Sequence, residues 1–523
     1  MAGAALLALA APASADPGAY VRARAAAADG AVDVAAAGYA QALAAAPDDQ
    51  VIAIRAYREG LAAGDYGLVR RAAAVLVKAG VAPADTAVLA YADALHANDL
   101  PAADAALMRL AGGPLDFMTP VLRAWMIESR GEDGAALLEK TAGSAIARRY
   151  GAEHRGLLLI ASGRAKEGLA ALQPLFADDG GDDLKLTAAT LLTGMGKKGL
   201  AKDLLGPDAK AAGKQIGKGA KPSPSFGAAR LFVRVADDLQ HQDTQTLSIL
   251  LTRAALLLDP TDDHARVLLA GALAQSGAND GALTVLAEVR PDGLYGREAR
   301  EATVGVLGSA GRAEEALSRA KALADAPGAT SRELQSYGDL LAGESRYADA
   351  ADAYRRAIDL AGEDAGWVLN LQLGGALEQA GRWDQALPVL RHAVELGPNQ
   401  PAALNYLGYA LADRRQDLPE AEQLLTRASQ LAPDNAAISD SLAWAYFQKG
   451  EVAKAVPLLE KAAKAEPADP EINEHLGDAY WRVGRRFEAR YAWRAAAIYA
   501  EDDAKKRIEG KLQTGLEPHI AAN

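Results

Sequence analysis

The C-terminal third of this chain repeats itself at an interval of 34 residues. Pro433 and Pro467 stand that far apart, and so do Ala455 and Ala489, Leu442 and Leu476, Ala462 and Ala496, and Tyr446 and Tyr480. Gly450 and Gly484 keep the same interval. No other feature constrains the fold so strongly. A unit of this length is one supersecondary element and cannot bury a core alone, so its copies must stack on one another.

The residues within a unit read as two helices and a turn. In 436–467 the first helix carries Leu442, Ala443 and Tyr446, a turn follows at Lys449-Gly450-Glu451, and the second helix carries Ala455, Leu459 and Ala462. Pro467 cannot continue that helix, and Asp469-Pro470 then offers an N-cap followed by proline at the first helical position. A small residue (Gly408, Ala443, Gly477) is expected where the two helices cross, with Ala421, Ala455 and Ala489 facing it from the second helix. Leu425, Leu459 and Trp493 are expected to fill the layer between units. This pattern resembles the tetratricopeptide repeat (TPR), which implies an all-α fold, an α-solenoid of stacked antiparallel helix pairs. The run from NYLGYALAD through DSLAWAYF to EHLGDAYWRVGR resembles bacterial TPR proteins of the cell envelope.

Traced backward, the pattern persists with wear. Leu373, Gly374, Ala386, Leu390 and Pro398 mark one unit, and Gly338, Ala350 and Tyr354 another; Leu269, Ala270 and Ala282 mark an earlier one. The unit at 401–433 carries one extra residue near Asp417-Leu418-Pro419. These marks predict a TPR array over 227–503 and a polar capping helix and tail over 504–523. Residues 16–205 are expected to be degenerate pairs of the same kind, with turns at Gly64-Asp65, Asn98-Asp99, Gly131-Glu132 and Gly163-Arg164. Residues 206–226, rich in Gly, Pro, Ser and Lys, read as a flexible basic linker or long loop; a basic tether for an acidic partner is the other reading.

Composition agrees with thin, closely packed helical layers. Hydrophobic residues make up 50% of the chain but aromatics only 5%, so Ala and Leu carry the apolar share. A formal net charge of −12 argues against nucleic acid as a partner. The chain has no cysteine, which excludes disulfides, thiolate chemistry and an N-terminal lipidated cysteine. Residues 1–15 read as a signal peptide whose apolar run from Ala4 to Ala11 leads to Ala13-Ser14-Ala15, although no Lys or Arg precedes Arg22. An Ala-rich first helix is the alternative. A periplasmic or secreted location is expected, with the cytoplasm as runner-up. No stretch is long and apolar enough to be a transmembrane helix.

No catalytic or metal-binding motif stands out, and neither enzymatic activity nor a cofactor is expected. Ser318 and Lys321 match a two-position fragment of a longer motif; Asp237, His241 and Asp243 read as solvated residues at a helix end. The resemblance implies instead a concave groove lined by first helices, which binds segments of partner proteins. Carried onto this chain, its binding positions are Asn405, Tyr409 and Asp413, then Asp440, Trp444, Phe447 and Gln448, then Glu471, Glu474, Asp478, Trp481 and Arg482. Residues 440, 444, 447 and 448 fall on one helical stripe. Trp444, Phe447 and Trp481 could equally be packing residues between repeats. The acids at 440 and 474 would repel an acidic tail, so a neutral or basic segment is the expected ligand. A scaffold of this fold in the cytoplasm, an enzyme hidden in the N-terminal half, and a self-associating structural protein are the rival readings.

Overall fold

The computed structural model describes residues 17–140, 144–177, 180–240 and 244–516. The expected signal peptide, with His241 and Asp243, lies outside them. Among the described residues the regular structure is helical, and no helix is long and apolar enough to cross a membrane. The chain forms two compact units, Met1–Arg319 and Ala320–Asn523.

In the second unit the repeats follow one another as Ser331–Gly343 with Tyr347–Ala361, Trp367–Gln379 with Trp383–Leu396, Pro401–Asp413 with Leu418–Leu431, Ala436–Gln448 with Val452–Ala465, and Pro470–Arg482 with Arg486–Tyr499. Helix Asp502–Thr514 ends the series. The start signals act as the residues require. Asn435 accepts from the backbone N–H of Ile438 at 3.0 Å and Asp469 from that of Ile472 at 2.9 Å, each satisfying a donor the helix cannot. Gly450 and Gly484 turn the chain at φ +79° and +84°, a region that costs other residues about 1 kcal/mol or more.

Helix pairs meet through one device. A Cβ added to Gly374 would lie 2.5 Å from Leu390, one on Gly408 2.6 Å from Leu425, and one on Gly477 2.3 Å from Trp493. Each large side chain therefore fills the space that its glycine leaves empty. Leu390, Leu425 and Trp493 are fully buried there. The extra residue in the 401–433 unit is absorbed by the turn, where Arg415 and Asp417 both take positive φ.

The first unit holds the same helix pairs from Pro17–Ala28 with Val32–Ala45 to Gly181–Gly194 with Lys198–Leu205. Gly156 opposes Leu172, repeating the device of the second unit. Asp65, Asp99 and Asp133 cap the second helices that follow their turns. Two expectations fail here. Residues 206–226 are not a loose linker between halves. They include helix Ala209–Ile216, with Ala212 buried, and the Ala220 N–H donates to the Thr190 carbonyl at 3.1 Å.

The second failure concerns where the array begins. Helices Pro224–Asp238 and Gln245–Leu258 stack on the pair that follows them, as an array does, but they also fold back onto the N-terminal pairs. A Cβ on Gly227 would lie 2.3 Å from the Trp125 ring. The Tyr66 hydroxyl donates to the Arg253 carbonyl at 2.7 Å, and Arg253 donates to the carbonyls of Leu61 and Ala62 at 3.0 and 2.6 Å, capping helix Gln50–Ala63. The compact unit consequently ends at Arg319, not at the linker.

Candidate functional site

The period of 34 residues sets equivalent first-helix positions side by side, so the expected groove residues of three repeats do converge. Tyr409 and Asp413 come from Pro401–Asp413, Trp444 from Ala436–Gln448, and Glu471, Glu474 and Asp478 from Pro470–Arg482. Helix Asp502–Thr514 adds Arg507, Ile508 and Lys511 as the next wall. Together they enclose an open cavity of about 790 Å³.

Most of the expected anchors are already engaged with one another. Trp444 is 8% exposed and lies in a stack: the His475 ring is 3.9 Å away at 14° and the Phe447 ring 4.9 Å away at 6°. Trp444 Nε1–H donates to Asp413 at 3.4 Å. Asp440, also buried, accepts from His475 Nδ1 at 2.9 Å. Burial opposes a charge on His475, but the Asp440 carboxylate outweighs it and holds the imidazolium up to about 9. Asp440 and Phe447 are thus parts of the wall and not ligand anchors, and only the edge of Trp444 reaches the cavity.

The lower acids are neutralised from within the chain. Arg507 grips Glu474 with two bonds, at 2.9 and 2.7 Å, and Lys511 bridges Glu474 at 2.7 Å and Asp478 at 2.6 Å. Burial disfavours the Glu474 charge, yet these two cations pull its titration below the usual range. At Asp478 burial prevails and the titration moves up, although Lys511 and the Trp493 N–H both favour its charge. The terminal helix is therefore a polar cap outside and a cationic clamp inside, where Ile508 is fully buried.

The remaining expected residues lie at the margins. Trp481 packs at 5.3 Å on Trp493, against the backbone of Gly515 and beneath the Arg486 guanidinium. Gln448 accepts from Arg415 Nε at 2.9 Å. Asn405 Oδ1 and Arg482 Nε are buried without a hydrogen-bond partner. Two acids keep an exposed face and form no ion pair among the described residues: Asp413, and Glu471, which accepts from the Tyr409 hydroxyl.

His475, Arg507 and Lys511 were missed by sequence reasoning, although a signal for each of them existed. Arg507 and Lys511 each lie 33 residues after their carboxylates, close to one period, and both pairs run i, i+4. His475 follows Asp440 by 35 residues, again near one period.

A second cavity, of about 290 Å³ in the first unit, is lined by Asp183, Arg230, Asp262 and His264. Its charges compensate each other: Arg230 pairs with Asp262 at 2.8 Å and His264 with Asp183 at 3.3 Å. It lies between the fold-back segment and helix Gly181–Gly194.

Comparison with known proteins meets the same residues. Two tetratricopeptide-repeat family models match residues 371–436 and 414–474. Residues 371–474 are tetratricopeptide repeats. A TPR repeat-containing protein of Pseudomonas aeruginosa is 33% identical over 153 residues, 29% of this chain and 25% of that protein. A protein O-mannosyl-transferase of Drosophila melanogaster is 39% identical over 93 residues, 17% of this chain and 11% of that one. The TPR chain thus spans a quarter or less of these relatives' length. Among solved structures, a thermophilic TPR protein of Thermus thermophilus is 23% identical with a TM-score of 0.31, covering 35% of this chain and 100% of its own. A TPR protein with an unusual peptide-binding site is 24% identical with a TM-score of 0.29, covering 33% of this chain and 88% of its own. These repeats support a protein-interaction scaffold.

Proposed function

We propose that this protein is a non-enzymatic adaptor of the bacterial cell envelope that holds a neutral or basic segment of a partner protein in the cavity between Tyr409 and Lys511. One observation carries the reading. Of the acids that line the cavity, Glu474 and Asp478 are neutralised by Lys511, whereas Asp413 and Glu471 form no ion pair among the described residues and keep an exposed face. A Lys or Arg of a bound segment completes that charge balance, while the Tyr409 ring and the edge of Trp444 take an apolar neighbour. The acidic anchor has accordingly moved from Asp440, Glu474 and Asp478 to Asp413 and Glu471. The chemistry is that of binding. His475, the one imidazole in the lining, is tied to Asp440 and held charged, so it has no free electron pair with which to act as a base. The Ala13-Ser14-Ala15 pattern supports export to the envelope.

A peptide array probed with the protein tests the groove. Captured segments should be rich in Lys or Arg, and the double variant Asp413→Asn/Glu471→Gln should bind them about tenfold or more weakly. Capture of no segment, or equal capture by the variant, sinks the reading. A fractionation experiment on the tagged protein tests location: recovery in the cytoplasm alone would rule out the envelope.

A further inference from the structure

Helix Arg486–Tyr499 is apolar on two opposite sides. One side, Ala489, Ala492 and Ala496 with Trp493 beside them, is buried in the array. The other, Phe487, Tyr491 and Ile498, is 72%, 56% and 72% exposed. Positions 487, 491, 494 and 498 fall within one narrow stripe of an α-helix. The neighbouring repeats show that this is not what the outer face of a second helix needs. One period earlier the same places hold Ala453, Pro457, Glu460 and Lys464, and two periods earlier Pro419, Gln423, Thr426 and Gln430. Large apolar side chains at a solvated face mark an interaction surface.

The charge beside the stripe is of one sign. Arg494 lies over the Tyr491 ring at 5.7 Å, and Arg486 and Arg490 lie 4.2 and 5.2 Å from the Trp481 ring. None of these three meets a carboxylate among the described residues. The one acid of the helix, Glu488, is already held by Arg485 at 3.1 Å. In a chain with a net charge of −12, this is a local reversal. None of these residues lines the cavity, so the surface is free while the groove is occupied.

We propose that the outer face of helix Arg486–Tyr499 docks on an anionic lipid surface. Phe487, Tyr491 and Ile498 enter the interfacial layer, and Arg486, Arg490 and Arg494 meet lipid phosphates. The stripe projects from the helix as a ridge: Phe487, Tyr491 and Ile498 each expose more than half of their surface. A protein partner would have to supply a matching slot, whereas a fluid interface accepts a ridge of any shape. Aromatic and branched apolar groups next to unpaired arginines are the composition that a headgroup layer favours.

The test is flotation of the full chain with vesicles of phosphatidylcholine, with and without phosphatidylglycerol. The protein should float with the phosphatidylglycerol vesicles at low salt and release at high salt. Phe487→Ser/Ile498→Ser should bind about tenfold more weakly, and Arg486→Gln/Arg494→Gln should bind more weakly and lose the preference for the anionic vesicles. Circular dichroism and the melting temperature check that both variants remain folded; each changes only exposed side chains. The proposal fails if the wild type does not float at low salt, or if both variants float as the wild type does. It also fails if the stripe variants abolish a dimer or the capture of an acidic protein in the absence of vesicle binding, for then the ridge is a protein contact.

Discussion

The two compact units use the same helix pair and end in opposite states. In the first, the chain supplies its own filling: helices Pro224–Asp238 and Gln245–Leu258 lie against earlier pairs, with Gly227 on Trp125 and Arg253 on the end of helix Gln50–Ala63. In the second, no later segment returns among the described residues beyond helix Asp502–Thr514, and the first helices line an open cavity of about 790 Å³. The difference shows what a repeat leaves undecided. Stacking satisfies the faces between neighbours, but the face along the array needs a further occupant, which is part of the chain in one unit and solvent in the other.

Breaking the filled unit should have the largest effect. Gly227→Val places a side chain inside the Trp125 ring, which is itself fixed by its Nε1–H bond to His154 at 2.9 Å. A loss of about 3 kcal/mol or more is expected in denaturant unfolding of the first unit, with the groove of the second still binding peptide. If the variant melts like the wild type, the fold-back is not a fixed part of the first unit.

In the open unit the cap comes next. Lys511→Glu leaves Glu474 and Asp478 facing a third acid, and should cost about 3 kcal/mol. Amide exchange should report it as opening of helix Asp502–Thr514, which carries Lys511. Protection equal to the wild type would show that the clamp contributes nothing.

The Asp440–His475 pair adds a dependence on pH. Because the folded state raises the His475 titration above its ordinary value of 6.5, to about 9, the pair contributes fully below about pH 6.5 and is lost as the pH rises through 9. The stability gap between the wild type and His475→Gln should therefore be up to about 3 kcal/mol near pH 6 and should close above pH 9. A gap that is constant over this range would contradict the ion pair. The smallest expected effect is that of Tyr66→Phe, which removes one bond from the fold-back to the N-terminal helices and should cost about 1 kcal/mol.

Much of this was legible in the sequence because it is local. The helices, the cap at Asp469 and the turns at Gly64, Asn98, Gly131, Gly163, Gly450 and Gly484 all follow from residues within one period of each other, whereas Leu425, expected in the layer between units, instead fills the space that Gly408 leaves inside its own helix pair. The convergence of Tyr409, Trp444 and Glu474 was legible for the same reason. Only the tertiary structure decided the rest. Arg253 meets Leu61 across 192 positions, and no period reports a contact between helices of different registers. Glu474 and Asp478 looked like free acids because spacing shows which side chains share a face and not which cations reach it. The sequence by itself therefore determined the repeat and the side of it that faces inward. Whether that side is filled by the chain, neutralised by its last helix or left open to a partner was decided by long-range packing, which depends on where distant segments come to rest.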